Sequence, residues 1–306
     1  MNGEPVNAES DAVYLRLIGR LEADNRLRLR PGYLTSRPRQ IDAQPDSDLV
    51  AVLLDEDRRE LLRYGVPLLP YCVEGEIVTS LAVRATIPFH SATRAIVFEH
   101  DGLAIHELEV APEPPRVRLT WNPRAKEVSG TQQITWDAEH PTRMPLEFFL
   151  RYSHDGGETW QRASMRTGRK RYALDFDALP GGRRCRVAVV ATDGVNTAIA
   201  RSRQFAVAVK PCRALLLSPE DGAVFAETEP ILFEGQGYYL EERRPELEAL
   251  RWSSEPAGVE GAGPVLTTSH LAPGKYTVTL EAGEGERAGR ERVSIEVRGG
   301  RRRARS

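Results

Sequence analysis

The fold is decided by four short stretches between residues 116 and 207, which read Ile134-Thr-Trp136, Leu150-Arg-Tyr-Ser153, Leu179-Pro-Gly-Gly182 and Arg186-Val-Ala-Val-Val-Ala-Thr-Asp-Gly194. Apolar residues dominate these stretches, and Gly, Pro and Asp separate them, which is typical of antiparallel strands joined by tight turns. Strand follows turn follows strand with no strong helical period between them, which indicates a sandwich and not a parallel α/β sheet. The pattern predicts one β-sandwich over residues 116–208.

This segment resembles a fibronectin type III domain of the kind appended to large bacterial surface or secreted proteins. The residues that carry the resemblance are Trp136, Tyr152 and the Leu179-Pro-Gly corner that precedes residues 186–192. Members of that family place a tyrosine after the corner, where it bonds to the corner's backbone. Cys185 stands there in this chain, so the resemblance implies that this hydrogen bond is missing. The resemblance implies a domain that binds other molecules and presents its loops to them, and that seldom catalyses. It says more about the fold of this segment than about its function.

A second sandwich is predicted over residues 213–298. Trp252 lies on a strand before a turn, as a core tryptophan would, and Leu271-Ala-Pro-Gly-Lys-Tyr276 is a corner with its tyrosine present. This segment resembles the Ig-like or PKD-like modules that follow fibronectin repeats in bacterial proteins. The proline-containing stretch Val209-Lys-Pro-Cys-Arg213 is the expected seam before it.

Residues 11–111 are predicted to form a further β-sandwich, of a family that we do not place. Val13, Leu15 and Leu17 alternate with polar residues, which indicates a strand with one buried face. A short helix is the weaker expectation for residues 55–63. Ala111-Pro-Glu-Pro-Pro115 ends this segment, because three prolines cannot continue a strand ladder. The predicted fold class is therefore all-β, with three tandem immunoglobulin-like or fibronectin type III-like sandwiches.

Length and charge agree with this plan. A chain of 306 residues accommodates three all-β domains of about 100 residues each. The net charge is −2, but five arginines fall in residues 298–306, so the rest of the chain is more acidic. We expect residues 1–10 to be a disordered lead-in and residues 299–306 to be a disordered, arginine-rich tail. Nucleic acid or anionic lipid would be reached only through that tail.

The sequence predicts a reduced, cytoplasmic setting. Its three cysteines, Cys72, Cys185 and Cys212, form neither a disulfide framework nor a zinc spacing. The N-terminal residues have no basic start followed by an apolar run, and no stretch approaches the roughly 20 apolar residues of a membrane span. Leaderless export, surface association, or origin in a longer secreted polypeptide are the alternatives.

We find no motif for catalysis, for a cofactor or for a metal. Ser153-His-Asp155-Gly-Gly157-Glu-Thr159-Trp160 fits the Asp-box pattern of sialidase propellers, but a propeller needs several copies and this chain has one. We therefore predict a structural turn at this motif, with contact to a sugar as the alternative. Asp175, Asp177 and Asp193 are the weaker expectation for a calcium site.

The sequence predicts a non-catalytic interaction or scaffold protein that presents loops and strand edges to a protein partner. Two regions are the candidate binding residues. The first is Arg26, Arg28 and Arg30 on an exposed strand, where the alternative role is to protect an edge strand from aggregation. The second is the charged insertion Glu241, Glu242, Arg243 and Arg244, for which the alternative is a solvated loop. Arg37 and Arg39 would continue the first region. The alternative is an accessory carbohydrate-binding or adhesion module of a bacterial exported system, which would need exposed aromatic side chains on one face.

Overall fold

A computed structural model describes residues 4–5, 13–36, 44, 46–73, 76–123, 126–241 and 246–299. Strands dominate the described residues, and the helical elements among them are three short 3-10 helices, Phe176–Ala178, Leu247–Ala249 and Gly285–Arg287. The strands form three pairs of sheets along the chain. The fold class is therefore all-β with three tandem β-sandwiches, as the sequence predicts.

The first sandwich consists of two four-stranded antiparallel sheets. Its strands are β2 (Val13–Leu21), β3 (Leu27–Thr35), β4 (Leu49–Leu54), β5 (Glu60–Gly65), β6 (Leu68–Val73), β7 (Glu76–Phe89), β8 (Ala95–His100) and β9 (Leu103–Glu109). The sheet orders are β3-β2-β7-β6 and β5-β4-β8-β9. The helix expected at residues 55–63 is wrong, because a turn closed by the Asp55 carboxylate on the Arg59 N–H leads directly into β5.

Alternation along β2 explains why this sandwich forms. Leu15 and Leu17 point inward and are fully buried, while the residues between them reach the surface. Ile87 on β7 and Phe98 on β8 fill the space between the two sheets. Burying each such side chain stabilises the fold by about 1.5–3 kcal/mol before conformational entropy is subtracted.

The second sandwich has one three-stranded sheet and one larger sheet. Its strands are β10 (Arg116–Leu119), β11 (Thr131–Glu139), β12 (Glu147–Ser153), β13 (Gln161–Arg162), β14 (Arg171–Asp175), β15 (Gly182–Thr192), β16 (Thr197–Arg201) and β17 (Phe205–Val207). With β1 (Glu4–Pro5) from the start of the chain, the sheet orders are β10-β11-β14 and β1-β16-β15-β12-β13, and β17 also pairs with β15. Trp136 is buried and packs on Phe148 with ring centroids 5.5 Å apart, which confirms it as a core residue.

Strand β1 (Glu4–Pro5) belongs to the second sandwich although it lies at the start of the chain. Glu4 pairs with Ile199 and Pro5 with Ala198 on the edge of β16. These two residues pair there because a free strand edge offers hydrogen-bond partners to a nearby backbone, and the disordered lead-in over residues 1–10 stays a prediction. The other residues of 1–10 lie outside the described part of the chain.

The third sandwich pairs a three-stranded sheet with a five-stranded one. Its strands are β18 (Arg213–Ser218), β19 (Ala223–Ala226), β20 (Ile231–Tyr238), β21 (Leu250–Glu255), β22 (Glu260–Ala262), β23 (Val265–Thr268), β24 (Gly274–Ala282) and β25 (Gly289–Arg298). The sheet orders are β18-β20-β23 and β19-β25-β24-β21-β22. Trp252 is buried in this core, and the Tyr276 hydroxyl donates to the Ala272 carbonyl at 2.9 Å. The predicted tyrosine corner is thus confirmed.

The chain divides into two compact units. One comprises residues 1–174 with 183–206, and the other comprises residues 175–182 with 207–306. The first unit therefore holds the first sandwich and most of the second. The division into three domains at the predicted boundaries stays a prediction.

Hydrogen bonds from backbone and side-chain groups connect the first sandwich to the second. The Gly32 N–H donates to the Gly194 carbonyl at 2.7 Å, and the Thr192 hydroxyl donates to the Gly32 carbonyl at 2.7 Å. Asn196 Nδ2 donates to the Ala111 carbonyl at 2.8 Å, which fixes the start of the proline-rich seam. Val195 is buried within the core cluster of the first sandwich. These contacts hold the two sandwiches in one orientation.

Aromatic rings and arginines cover the same junction. Tyr33 of the first sandwich meets Phe149 of the second edge to face, with ring centroids 5.2 Å apart. Arg162 lies 5.0 Å and Arg166 5.7 Å from the centroid of the Phe149 ring. Such contacts add to burial and favour a fixed arrangement.

Candidate partner-binding face

Five arginines share the outer face of the sheet β3-β2-β7-β6. Residues directly opposite in an antiparallel pair point to the same side, so the register defines the face. Arg20 lies opposite Arg28, while Ile18 lies opposite both Arg30 on β3 and Arg84 on β7. Arg16 lies one row further along β2 on the same side. We call these five residues the arginine face: Arg16, Arg20, Arg28, Arg30 and Arg84.

One acidic side chain compensates part of this charge. Glu22 Oε1 lies 2.9 Å from Nε of Arg28 and 3.0 Å from a guanidinium nitrogen of Arg20. The hydrogen bond from Arg28 lowers the pKa of Glu22 below its usual value, and the charges of both arginines act in the same direction. Glu22 therefore stays ionised and relieves the repulsion between two arginines that face each other across strands.

The other three arginines of the face are uncompensated. Within the described part of the chain, no carboxylate forms an ion pair with Arg16, Arg30 or Arg84. Arg30 and Arg84 are exposed, and Arg16 is half-buried. Like charges at neighbouring positions of one sheet face cost stability, so a face of this kind favours an acidic ligand.

The opposite sheet of the same sandwich is built differently. Arg63 binds Glu99 at 2.7 Å and Glu60 at 2.9 Å, and Arg58 binds Glu107 through both of its terminal nitrogens. Each of these guanidiniums therefore has a carboxylate next to it. Arg58 and Arg63 thus differ from Arg30 and Arg84, which have no carboxylate partner among the described residues.

The structure separates the residues that the sequence predicts for partner binding. Arg28 and Arg30 lie on the arginine face, whereas Arg26 lies in the preceding turn and binds Asp24 at 2.9 Å. Glu241 is half-buried and binds Arg287 at 2.7 Å, and that guanidinium lies 4.2 Å from the centroid of the Tyr239 ring. Glu242, Arg243, Arg244, Arg37 and Arg39 lie outside the described residues.

Sequence reasoning missed Arg16, Arg20 and Arg84. The first two could have been found, because a hairpin with its turn at residues 23–25 places Arg20 opposite Arg28, and Arg16 follows by alternation. Arg84 reaches the face through the pairing of β2 with β7, which brings together residues more than 60 positions apart. No local sequence pattern predicts a pairing between residues so far apart in the sequence.

The Asp-box motif forms a turn. Asp155 accepts the backbone N–H of Thr159 at 2.9 Å, and Ser153 Oγ accepts the N–H of Gly157 at 2.8 Å. Trp160 Nε1 donates to the Gly157 carbonyl at 2.9 Å. Burial raises the pKa of Asp155, but hydrogen bonds from Ser153 and Thr159 outweigh it and leave the pKa well below the usual range. The polar atoms of the motif thus hydrogen-bond to one another and to the motif's own backbone.

A buried polar cluster lies near the junction of the first two sandwiches. His140 Nδ1 accepts the backbone N–H of Thr142, so the proton on Nε2 is the one donated to Asp193 at 3.1 Å. Asp193 also accepts from the backbone of Val195 and from Asn196. Asp193, one of the three carboxylates considered for calcium, is thus already surrounded by donors. Within the described residues no group of three or more His, Cys, Asp or Glu side chains is placed to hold a metal ion.

An open groove of about 640 Å³ runs beside the proline-rich seam. Its charged groups have partners in the groove wall: Arg118 forms an ion pair with Asp137 at 2.6 Å, and Lys170 Nζ donates to the Ala138 carbonyl at 2.6 Å. These side chains do not converge on a common point as those of a reaction site would.

Among the aromatic side chains whose exposure the structure describes, Tyr238 is the most exposed, at 39%, and the adjacent Tyr239 is buried. Trp121 packs on Phe205 with centroids 5.5 Å apart, and Trp160 covers the Asp-box turn. A sugar platform of neighbouring exposed rings is therefore not formed by these residues.

No family model matches this chain, and no curated protein matches it. Similar solved structures include the fibronectin(III)-like modules of CbhA from Clostridium thermocellum, with 12% identity over 62% of this chain and 98% of that one and a TM-score of 0.26. The N-terminal Ig1-2 module of the Drosophila receptor protein tyrosine phosphatase DLAR has 11% identity over 61% and 100%, with a TM-score of 0.23. The four N-terminal Ig domains of Dscam1 isoform 7.44 have 13% identity over 87% and 68%, with a TM-score of 0.27. Likenesses this distant add nothing to the fold class, which rests on the strand pairing. Separately, no helix in the described ranges is long and apolar enough to span a membrane.

Proposed function

We propose that this chain is a non-catalytic interaction protein whose arginine face binds an acidic segment of a protein partner. The observation that carries the proposal is the set of uncompensated arginines on one sheet of the first sandwich, beside a second sheet whose arginines are paired. The rigid attachment of this sandwich to the next supports a scaffold role, because a partner bound there is held at a fixed orientation to the second sandwich.

The spacing of the face suits an extended acidic peptide. Successive rows of the face are roughly 7 Å apart along the strands, and alternate side chains of an extended chain repeat at about the same distance. Arg30 and Arg84 lie two strands apart, on either side of Ile18, whose apolar surface offers contact between them. A long nucleic acid is the less suitable ligand, because the chain as a whole is acidic and would repel the charges that extend beyond the face.

Binding of a fluorescein-labelled peptide of six Glu-Thr repeats, followed by fluorescence anisotropy at low ionic strength (about 50 mM), tests the proposal. We expect Arg30→Glu with Arg84→Glu to weaken binding by about tenfold or more, since two attractive pairs become repulsive. Both side chains are exposed, so the double variant should keep the melting temperature of the unmodified protein.

Arg171→Glu with Arg292→Glu is the matched control, because both arginines are exposed and lie on other sandwiches. It changes the net charge by the same amount and should leave the affinity within about twofold. Equal weakening by the two double variants would show that only overall charge matters, and tighter binding of single-stranded oligothymidine than of the peptide would point to nucleic acid. Either outcome overturns the proposal.

A further inference from the structure

The three-stranded sheet of the third sandwich exposes an apolar surface. Five of the ten exposed large hydrophobic side chains in the described part of the chain lie on its strands, and each is between 37% and 53% exposed. These are Leu215, Leu217, Leu232, Tyr238 and Val265. We call them the apolar face. Scattered exposed leucines are ordinary, whereas a cluster on a single sheet is typical of an interaction surface.

The alternation of β20 shows that this exposure is not a defect of the core. Ile231 and Phe233 point inward and are buried, and Leu232 between them points outward. A sheet that has one solvent-exposed face is expected to carry polar residues on that face. Here the outward positions mix leucine and valine with a few polar groups.

Two opposite charges lie on the same face. Arg213 lies opposite Tyr238 at one end of the β18–β20 pair, and Glu234 lies opposite Ser218 and Val265 near the other end. Neither forms an ion pair with another described residue. The register places them roughly 14 Å apart, two rows along and one strand across.

We propose that the apolar face binds the same face of a second copy of this chain, related by a twofold axis close to Leu215 and Gln236. An axis at that place, lying in the contact plane and perpendicular to the line from Arg213 to Glu234, brings Arg213 of one copy over Glu234 of the other and does so twice. The two sheets then cross at a moderate angle, as aligned sandwiches do. A twofold contact needs a self-complementary surface, and this one offers apolar side chains at its centre and one charge of each sign.

The size of the face sets the strength of the contact. Three strands spaced about 4.8 Å apart and about 20 Å long give a footprint of roughly 300 Å². Stable pairs bury about 800 Å² on each partner. We therefore expect a weak, reversible dimer, with a dissociation constant on the order of 100 μM.

Sedimentation equilibrium of the full chain from about 10 μM to about 1 mM tests the association, since that range brackets the expected dissociation constant. We expect the weight-average mass of the unmodified protein to rise toward that of a dimer, and Leu215→Glu to keep it monomeric because two carboxylates then meet at the axis. Leu232→Glu, on the central strand, is the second variant should the first fail to fold. Leu103→Glu is the control, because Leu103 is exposed but lies on the first sandwich.

A charge exchange tests the twofold arrangement. Arg213→Glu and Glu234→Arg should each weaken association several-fold, and the double variant should restore it. Monomeric protein at about 1 mM, association unaffected by Leu215→Glu and Leu232→Glu, or equal loss in Leu103→Glu overturns the proposal. Single charge reversals that weaken association without restoration in the double variant overturn the proposed axis.

Discussion

Glu22 binds two of the five guanidinium groups of the arginine face. Its carboxylate binds Arg20 and Arg28 together, and these contacts lower its pKa, so it remains charged near neutral pH. Glu22→Gln should free two guanidiniums and raise the affinity for the Glu-Thr peptide roughly threefold. The melting temperature should fall slightly, because Arg20 and Arg28 then repel each other. Anisotropy and thermal melts measure the two effects. An affinity for the peptide that is unchanged or lower would contradict a role for Arg20 and Arg28 in binding.

Asp155 is expected to stabilise the second sandwich in a manner that depends on pH. Its pKa is depressed in the folded chain, so its contribution is present above the unfolded value of about 4 and is lost as the pH falls below it. Asp155→Ala should lower the free energy of unfolding by about 1–3 kcal/mol at pH 7 through the lost hydrogen bonds. The difference from the unmodified protein should shrink below about pH 4. Urea unfolding at several pH values tests this, and a constant difference down to pH 2 would refute it.

At the scale of elements, the meeting of β3 with the β15–β16 turn fixes the first two sandwiches together. A Cβ on Gly32 would lie 2.8 Å from the Gly194 carbonyl oxygen and 2.9 Å from the Arg16 carbonyl oxygen. Backbone atoms cannot move aside cheaply, so Gly32→Ala should destabilise this unit by about 1–3 kcal/mol. A Cβ on Gly168 meets nothing within 4 Å, which makes Gly168→Ala the control. Chemical unfolding would contradict the interpretation if both variants had the same stability.

The elements that the sequence predicts well are those with a local signature. The alternation of apolar and polar residues predicts strand β2. The corner before Tyr276 predicts the hydrogen bond from the Tyr276 hydroxyl to the corner's backbone, and the structure contains it. The short strands β19 and β22 were missed, since three or four residues carry too little pattern. Leu215, Leu216 and Leu217 form an apolar run in the sequence, but which of these side chains are exposed depends on the sheet that β18 joins. The same holds for Arg84. The local sequence pattern thus predicts where the strands lie. Which side chains share an exposed face is determined by strand pairing between distant parts of the chain.

At the scale of the whole molecule, two basic regions compete as the site for an acidic ligand. One is the arginine face, and the other is the cluster of arginines in residues 298–306. The sequence predicts that nucleic acid would bind only to that cluster. The face differs from the cluster because the register of its sheet sets the separations between its guanidiniums. Affinity that depends on such preorganisation is specific to the ligand's spacing, whereas attraction to a charged cluster depends mainly on the number of charges.

Removal of residues 299–306 separates the two. If the face is the site, the shortened chain should bind the Glu-Thr peptide within about twofold of the full chain, while Arg30→Glu with Arg84→Glu in the shortened chain should still reduce binding about tenfold. Raising the salt from about 50 to about 200 mM should weaken peptide binding to both lengths of chain in parallel, because the same ion pairs are screened in each. Loss of peptide binding on truncation would place the ligand on the C-terminal arginines and leave the arginine face without a binding role.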